Sequence, residues 1–453
     1  MAEAVRHDKT ARQLRLLSDA LDSGRLGPVR RLVNTLAPAE IGNLLESLPP
    51  GKREVVWGLV DPEDDGEVLV HVGDEVRESL IADMDPDELV AAVEDLDIDD
   101  LADLVEDLPD TVIDEVLKSM DRENRERLEQ VLSYPEDSAG RLMNPDVVTV
   151  RADVNVDVVL RYLRLRGELP DHTDHLYVVS RRHQYLGRIS LAALVTHEDS
   201  TPINRLVDDE QPAIDVGENA QEVARQFSDH DWVSAPVVDE SNILLGRITI
   251  DDVVDIIREQ AEHQALGAAG LDEDEDLFSP VRRAVRGRVV WLGINLFTAF
   301  LAASVIGQFD ATMEKIIALA VLMPIVAGIG GNAAVQVLTL MVRGLALGQV
   351  GPSNARILLW KEFRVALING LLIGGVVGVI AFLWFGNPLL SLVIALALVL
   401  NFCAAAIAGV LLPLLLKRMN IDPAVAGTVV VTAVTDVMGF FCFLGLATLI
   451  LLH

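Results

Sequence analysis

The chain has few cysteines, few aromatic residues and a shortage of basic side chains. Its 453 residues include two cysteines, and 5% of them are aromatic. Cys403 and Cys442 both lie in apolar runs, where cysteine behaves as a small hydrophobic residue and not as a metal ligand or disulfide partner. Lys and Arg number 37 against 69 Asp and Glu, which gives a net charge of −32. Such a charge excludes nucleic acid as a partner and favours cations.

The first half of the chain has no long hydrophobic run. Up to about Asp276 it is acidic and soluble in character, whereas after Val289 it is almost continuously apolar. The polar, charged N-terminus lacks the apolar core of a signal peptide. We therefore expect a large soluble part on the cytoplasmic side, ahead of the first membrane span.

Residues 1–133 are predicted to form an acidic, all-α superhelical domain. The segments 37–49, 85–96 and 97–109 share a cap-like start, acidic residues in the first turn and Leu or Val at helical spacing. Short helices of this kind stack with one apolar face inward. Their crowded carboxylates predict cation sensing, because divalent cations would relieve the repulsion between them. The alternative is a solvated acidic surface.

Residues 134–263 follow a different pattern, which occurs twice. Each copy reads strand, helix, strand, glycine-containing turn, strand, helix; the first begins at Ala139 and the second at Pro202. The order is similar to a tandem pair of CBS modules, an α/β regulatory unit without an active site. The second copy also resembles a nucleotide signature at Thr249 and Asp252, which predicts binding of ATP. The alternative is that Asp252 caps the following helix.

Residues 264–288 connect the two halves. A linker with an acidic cluster at 272–276 is followed by Ser279-Pro280, which opens a basic helix. Because this helix runs straight into the first apolar span, we expect it to join the soluble sensor to the membrane part as a plug helix.

Residues 289–453 are predicted to form a five-helix transmembrane domain. The basic residues cluster on one side of it, and by the positive-inside rule this side is cytoplasmic and His453 lies outside. The protein is then a multi-pass protein of the plasma (inner) membrane, in contact with membrane lipid. The predicted spans are Val289–Gln308, Ile316–Val342, Phe363–Trp384, Leu389–Leu416 and Ala424–Leu452.

The last span carries a carboxylate, Asp436, roughly 18 Å beyond Ala424 along the helix. A carboxylate at this depth is costly, so it is expected to face a cavity and act on an ion. Thr428, Thr432 and Asp436, followed by Gly439, have a spacing that puts them on one helical face. This face is predicted to line a cation path. The alternative is a carboxylate held by a buried partner.

The second span contains Pro324 and Gly328–Gly331, which mark either a close helix contact or an interrupted helix. Asn332 and Gln336 add polar groups one turn apart. A symmetric dimer would bring two copies of Asp436 together around an axis, which suits a divalent ion. Sparse carboxylates and hydroxyls suit hydrated Mg²⁺, and the lack of His in the membrane half before His453 disfavours a transition metal there.

The chain resembles the MgtE-type magnesium channels over nearly its full length. The resemblance is carried by the domain order and by Tyr134–Gly140, Gly330-Gly331-Asn332, Lys361-Glu362, Leu412-Pro413 and the pattern from Asp422 to Gly439. It implies a homodimeric, Mg²⁺-selective channel that closes when cytosolic Mg²⁺ binds the acidic, CBS and plug segments. The implied pore positions are Thr428, Thr432 and Asp436, with Asp422 at the cytoplasmic mouth, and the implied sensing positions are Asp252, Asp255, Glu259 and Glu262.

Three other functions are alternatives to a channel. A cation exchanger coupled to Na⁺ or H⁺ would favour a second carboxylate deep in the membrane, whereas Asp436 stands alone. A membrane-tethered sensor that transports nothing leaves Asp436 unexplained. An intramembrane metalloprotease needs a His-Glu-x-x-His helix, which the sequence lacks, so we expect no enzyme.

Overall fold

The computed structural model describes residues 26–94, 96–105, 107–271, 276–351, 353–419 and 421–452, together with Leu17, Ala20 and Leu21. They form two compact units. The first runs to Ala261 and includes the described residues 276–279, while the second comprises the described residues from Glu262 to 271 and from Pro280 onward. The division falls within the helix that ends the soluble half. Residues 272–275 of the predicted acidic cluster and His453 lie outside the described residues.

The described N-terminal residues form short helices, as the sequence predicts. The three repeated segments give α2, α6 and α7. At the start of α6, Oε2 of Glu88 accepts a hydrogen bond from the backbone N–H of Asp85 at 3.2 Å, which satisfies one of the free donors of the first turn. The helices are α1 Leu26–Val33, α2 Pro38–Glu46, α3 Pro50–Trp57, α4 Asp65–Val70, α5 Asp74–Ala82, α6 Pro86–Val93, α7 Ile98–Val105, α8 Asp110–Ser119 and α9 Arg122–Leu132.

Two three-stranded sheets follow, one for each copy of the CBS pattern. In both, the first strand is parallel to the second and the second is antiparallel to the third. The α/β repeat is therefore confirmed. The first copy contains α10 Ala139–Leu142, β1 Thr149–Arg151, α11 Val156–Arg166, β2 His175–Val179, β3 Tyr185–Ser190 and α12 Leu191–Thr196. The second contains β4 Ile214–Asp215, α13 Ala220–His230, β5 Ser234–Val238, β6 Leu244–Thr249 and α14 Ile250–Ala269.

The two CBS modules exchange their opening segments, which the sequence did not reveal. The backbone N–H of Asn144 donates to the carbonyl of Arg247 in β6 at 2.8 Å, so the segment that opens the first copy packs on the second sheet. In return, the N–H of Arg188 in β3 donates to the carbonyl of Asp208 at 2.8 Å. Each sheet is thus completed by residues from the other half of the pair.

Gly187 and Gly246 make room for this exchange and do not form the turns between the second and third strands. A Cβ atom on Gly187 would lie 2.6 Å from the carbonyl oxygen of Asp208, and one on Gly246 would lie 2.8 Å from that of Asn144. Both glycines are inside strands, where the crossing segment approaches too closely for a side chain. The glycine-containing turns expected from the sequence are therefore wrong. His183 and Asn242, with φ of 58° and 60°, take the left-handed positions of the turns.

The second unit contains five helices, among the described residues, that are long and apolar enough to cross a membrane, and this confirms the predicted number of spans. The first begins earlier than predicted, because the basic helix continues into it without a break. The spans are α15 Val281–Gly307, α17 Ala318–Ala346, α18 Ala355–Phe385, α19 Pro388–Arg418 and α20 Pro423–Leu451, with the short α16 Asp310–Lys315 between the first two.

Close glycine contacts pack these helices around α19. A Cβ atom on Gly374 of α18 would lie 2.8 Å from the carbonyl oxygen of Ala395, so the two backbones approach closely. In α17 the helix is continuous through Pro324 and the glycines that follow. The prediction of a close helix contact is therefore right for this span, and that of an interrupted helix is wrong.

Candidate functional site

The last span begins as the sequence predicts. Oδ1 of Asp422 accepts a hydrogen bond from the backbone N–H of Ala424 at 2.6 Å, and Pro423 occupies the first helical position. This cap satisfies a free donor at the helix start and places a carboxylate there, where the helix dipole favours negative charge.

The polar face of α20 is formed by Thr428, Thr432 and Asp436, all half-buried within the unit. The hydroxyl of Thr432 donates to the carbonyl of Thr428 at 2.8 Å. Because its hydrogen is used inside the helix, the hydroxyl oxygen presents its lone pairs as acceptors. Such an oxygen can accept hydrogen bonds from the water shell of a cation.

Asp436 has no polar partner in the described part of one protomer: no hydrogen bond or ion pair reaches its carboxylate there. It lies about 20 Å along α20 from Pro423. The alternative of a carboxylate held by a buried partner therefore gains no support from the contacts within a protomer. An unpaired carboxylate at this depth is expected to face water or a cation.

Gly439 lies in line with the polar face of α20, about three turns beyond Thr428, and is buried. A Cβ atom there would lie 2.7 Å from Nδ2 of Asn401, a fully buried residue of α19. Nδ2 of Asn401 donates to the carbonyl of Val326 in α17 at 3.0 Å. A Cβ atom on Gly330 of α17 would lie 2.0 Å from the same nitrogen. Asn401 therefore joins three spans, and its contact with Gly439 was not predicted from the sequence.

The second span runs beside the polar face of the last. A Cβ atom on Gly331 would lie 3.9 Å from Cγ2 of Thr432, so α17 and α20 meet at this level. Asn332 and Gln336 are exposed on the surface of the unit. Polar side chains at such positions require a partner that a single protomer's packing does not supply.

Glu362 is a functional candidate to which sequence reasoning assigned no role, although Lys361-Glu362 is one of the motifs that carry the family resemblance. It is 5% exposed. It lines a cavity together with Gln336 and Asn369. Its Oε1 atom accepts a hydrogen bond from Nζ of Lys361 at 2.6 Å. The available signal was a glutamate one residue ahead of a long apolar run.

The soluble unit contains a second group of carboxylates, at the contact between α7 and the start of α14. Burial raises the pKa of Asp99 well above its usual value, and the charge of Asp252 raises it further. Burial, with Asp97 and Asp103, raises the pKa of Asp100 to about 7. Burial and the charge of Asp251 likewise raise the pKa of Asp252 to about 7. Desolvation and mutual repulsion thus destabilise the charged form of these carboxyl groups, and a bound cation would offset this cost.

Thr249 and Asp252, the predicted nucleotide residues, bond to each other. Oδ2 of Asp252 accepts from the backbone N–H of Thr249 at 3.2 Å and from its hydroxyl at 3.1 Å. The pair forms a cap at the start of α14, as the alternative reading of Asp252 expects. The structure therefore places Asp252 both in this cap and beside Asp99.

The remaining predicted sensing residues are spread along α14. Asp255 pairs with Nη1 of Arg258 at 3.5 Å. Burial, with the charges of Asp255 and Asp103, raises the pKa of Glu259. Glu262 belongs to the second unit. Within the described ranges no three His, Cys, Asp or Glu side chains converge closely enough to hold a metal ion.

Comparison with known proteins places this architecture in a family. A family model described as MgtE divalent cation transporter matches residues 323–446, one for the MgtE intracellular N domain matches 36–137, and one for the CBS domain matches 139–199 and 205–259. The magnesium transporter MgtE of Bacillus subtilis is 26% identical over 430 residues, which cover 94% of this chain and 95% of that protein.

Two further proteins are similar to this chain. One is described as the crystal structure of the cytosolic domain of the Mg²⁺ channel MgtE in complex with ATP. Its sequence is 30% identical to this chain over a match that covers 53% of this chain and 98% of that one, with a TM-score of 0.48. The magnesium transporter MgtE of Thermus thermophilus is 31% identical over 452 residues, which cover 96% of this chain and 98% of that protein. The chain therefore belongs to the MgtE family of magnesium transporters.

Proposed function

We propose that the chain forms a homodimeric, Mg²⁺-selective channel for Mg²⁺ uptake. The observation that carries this proposal is Asp436, which lies deep in the last span without a polar partner among the described residues of its protomer. Two copies around a dimer axis supply two carboxylates to one ion. Transport requires no chemical step, so we propose no enzymatic activity.

The chemistry of the polar face suits Mg²⁺ that keeps its water. Mg²⁺ loses water reluctantly and is commonly held through one or two carboxylates and several waters. Asp436 supplies the charge. Thr432, one turn away, and Thr428, two turns away, supply neutral oxygens. Asp422, at the start of the same helix, adds a carboxylate at the mouth of the path.

Cytosolic Mg²⁺ closes the channel by binding the carboxylates of the soluble unit. Asp99 and Asp252 repel each other across the contact between α7 and α14, as their raised pKa values indicate. A divalent cation at this contact would remove the repulsion and stabilise the closed arrangement. Asp255, Glu259 and Glu262 are the further sensing ligands of this proposal. The shift in population then follows from stronger Mg²⁺ binding to the closed state.

The proposal includes an orientation and a division into domains. The N domain (1–133), CBS pair (134–263) and plug segment (264–288) lie in the cytoplasm, and residues 289–453 cross the plasma (inner) membrane with the C-terminus outside. ATP would bind near Thr249 and Asp252 of the CBS pair. Thr249 is buried and its hydroxyl is bonded to Asp252, so nucleotide binding would have to compete with this cap.

The test is Mg²⁺ uptake into proteoliposomes by the wild type and by Asp436→Ala. Uptake should fall to the background of empty liposomes, because the path loses both copies of its deepest carboxylate. Asp310→Ala, which removes an acidic group outside the long spans, is the matched control and should retain uptake. Full uptake by a dimeric Asp436→Ala variant would place the path elsewhere and overturn the proposal.

An exchanger coupled to Na⁺ or H⁺ is the alternative that the same liposomes test. Glu362 is a second buried carboxylate, but it lies about 10 Å from the start of α18 and pairs with Lys361. We therefore prefer a channel. Uptake that follows the Mg²⁺ gradient alone supports it, whereas uptake that requires an opposing Na⁺ or H⁺ gradient establishes the exchanger.

A further inference from the structure

A cavity of about 90 Å³ lies between three spans of the second unit. Small side chains, Ala333, Ala366 and Ala406, leave the space open on α17, α18 and α19. Polar groups enter it from two of these helices: Gln336 of α17, and Glu362 and Asn369 of α18. A buried carboxylate and two exposed carboxamides therefore line one partly open cavity in an otherwise apolar helix bundle.

The contact between Lys361 and Glu362 shows that this carboxylate demands a cation. Neighbouring residues on a helix point in different directions and do not normally pair. Nζ of Lys361 nevertheless reaches Oε1 of Glu362, at 2.6 Å. Burying a carboxylate without a counter-charge is costly, so the nearest flexible ammonium is drawn to it.

The two partners differ greatly in exposure. The Lys361 side chain is 58% exposed and that of Glu362 is 7% exposed. Lys361 can therefore leave for solvent at little cost, whereas Glu362 stays in the cavity. An inorganic cation that entered the cavity would replace the ammonium without leaving a buried charge unpaired.

We propose that this cavity is a second cation site, separate from Asp436, in which Mg²⁺ displaces Lys361 from Glu362. Under the orientation proposed above, the site opens near the cytoplasmic end of α18, where Arg356 and Arg364 also lie. Lys361 acts as a tethered competitor that keeps the site closed to inorganic cations at low Mg²⁺.

The donor set and the volume favour a hard divalent ion. The polar lining consists of oxygen donors, with no His or Cys among the lining residues, so a soft transition metal is disfavoured. The cavity is large enough to hold water beside an ion. Mg²⁺ usually keeps several waters and is held by one or two carboxylates, which a single buried glutamate with carboxamide neighbours can supply.

The experiment measures binding, so its outcome is independent of whether the protein conducts. The full-length chain, with Cys403→Ala, Cys442→Ala and Asp436→Asn, is labelled with a nitroxide at Leu340→Cys, one helical turn from Gln336. Mn²⁺ is the probe, and its paramagnetic broadening of the nitroxide signal is titrated in nanodiscs. Mg²⁺ is then added to compete.

The site predicts three results. Broadening saturates with Mn²⁺ and is reversed by Mg²⁺. Glu362→Gln, which keeps the shape of the side chain, abolishes the saturable component. Lys361→Met binds Mn²⁺ roughly fivefold more tightly, since the tethered competitor is gone. Lys417→Met, which removes a lysine at the end of α19, leaves the affinity unchanged and controls for a general loss of positive charge.

Several outcomes would overturn the inference. Equal broadening in Glu362→Gln and its parent would show that Mn²⁺ binds elsewhere. Weaker or unchanged binding in Lys361→Met would make the Lys361–Glu362 pair a structural contact only. A nitroxide signal that Mn²⁺ never broadens would show that lipid or a second copy of the chain fills the cavity. If Glu362→Gln does not form a dimer, the Lys361→Met arm still decides the question.

Discussion

Nε2 of His263 lies 2.6 Å from Oδ2 of Asp422. Both residues belong to the second unit: His263 lies in the last part of α14, and Asp422 opens the last span. The end of α14 therefore contacts the helix that carries Asp436. Gly267 adds a second contact point, because a Cβ atom there would lie 3.0 Å from Cγ2 of Val425. The end of α14 thus packs against the first turn of α20.

We expect His263→Ala to weaken the inhibition of uptake by cytosolic Mg²⁺. The variant removes one of the contacts through which α14 holds the start of α20, so the half-inhibiting Mg²⁺ concentration should rise at least roughly twofold for a coupling loss of ~0.4 kcal/mol. Uptake into proteoliposomes at varied internal Mg²⁺ measures this. His197→Ala, an exposed histidine of the CBS pair, is the control; equal inhibition in both variants would contradict the expectation.

Asp99→Asn should stabilise the soluble unit in the absence of Mg²⁺. The substitution removes a buried charge that repels Asp252 and keeps the size of the side chain. At pH 8 we expect the melting temperature to rise by about 2–4 °C and the further gain on adding Mg²⁺ to shrink. Proteolysis of the full-length protein at increasing temperature follows the unit. Asp87→Asn, an exposed carboxylate of α6, should change neither value.

The pH dependence of the same unit has a defined sign. In the folded state the pKa of Asp100 is raised to about 7, so the folded chain holds this proton more tightly than the unfolded chain does. The free energy of unfolding therefore falls as the pH rises from about 4 to about 7, by up to ~1.4 kcal/mol per pH unit for one such group. Without Mg²⁺ the melting temperature should be higher at pH 5 than at pH 7.5. Asp100→Asn should flatten this slope, and an unchanged slope would refute the assignment.

Gly330→Ala should destabilise the membrane unit, because the new Cβ would lie 2.0 Å from Nδ2 of Asn401. Overpacking of this kind costs about 1–3 kcal/mol. Gly328→Ala is the matched control, since a Cβ atom there meets no other atom within 4 Å. Thermal aggregation of the detergent-solubilised dimer should begin at a lower temperature for Gly330→Ala alone. Equal onset temperatures would mean that α17 shifts to accommodate the side chain.

The sequence predicted the features that depend on local pattern. Long apolar runs identify the five spans, and the threonine spacing ahead of Asp436 identifies the half-buried polar face. The contact of Gly439 with Asn401 could not be predicted, because it depends on how α19 packs against α20.

Contacts between distant segments were beyond sequence reasoning. Asp99 and Asp252 are far apart in the chain, so no spacing rule relates them. Glu362 is buried because α17 and α19 pack beside it. The sequence of its own helix, α18, does not indicate that a glutamate at this position is buried. The exchange between the CBS copies could not be predicted for the same reason, because it pairs segments that are distant in the sequence.

That exchange also constrains how the chain is made. The first sheet is completed by residues near Asp208, and the segment around Asn144 pairs with β6, which ends at Thr249. During synthesis, the first sheet cannot be completed before Asp208 has been released from the ribosome, and the segment around Asn144 has no partner until β6 has been released. The early-made half must wait, with unsatisfied strand edges, for its later-made counterpart. The pair is therefore a single folding event, and a chain broken between the copies should yield two aggregation-prone fragments instead of one working module.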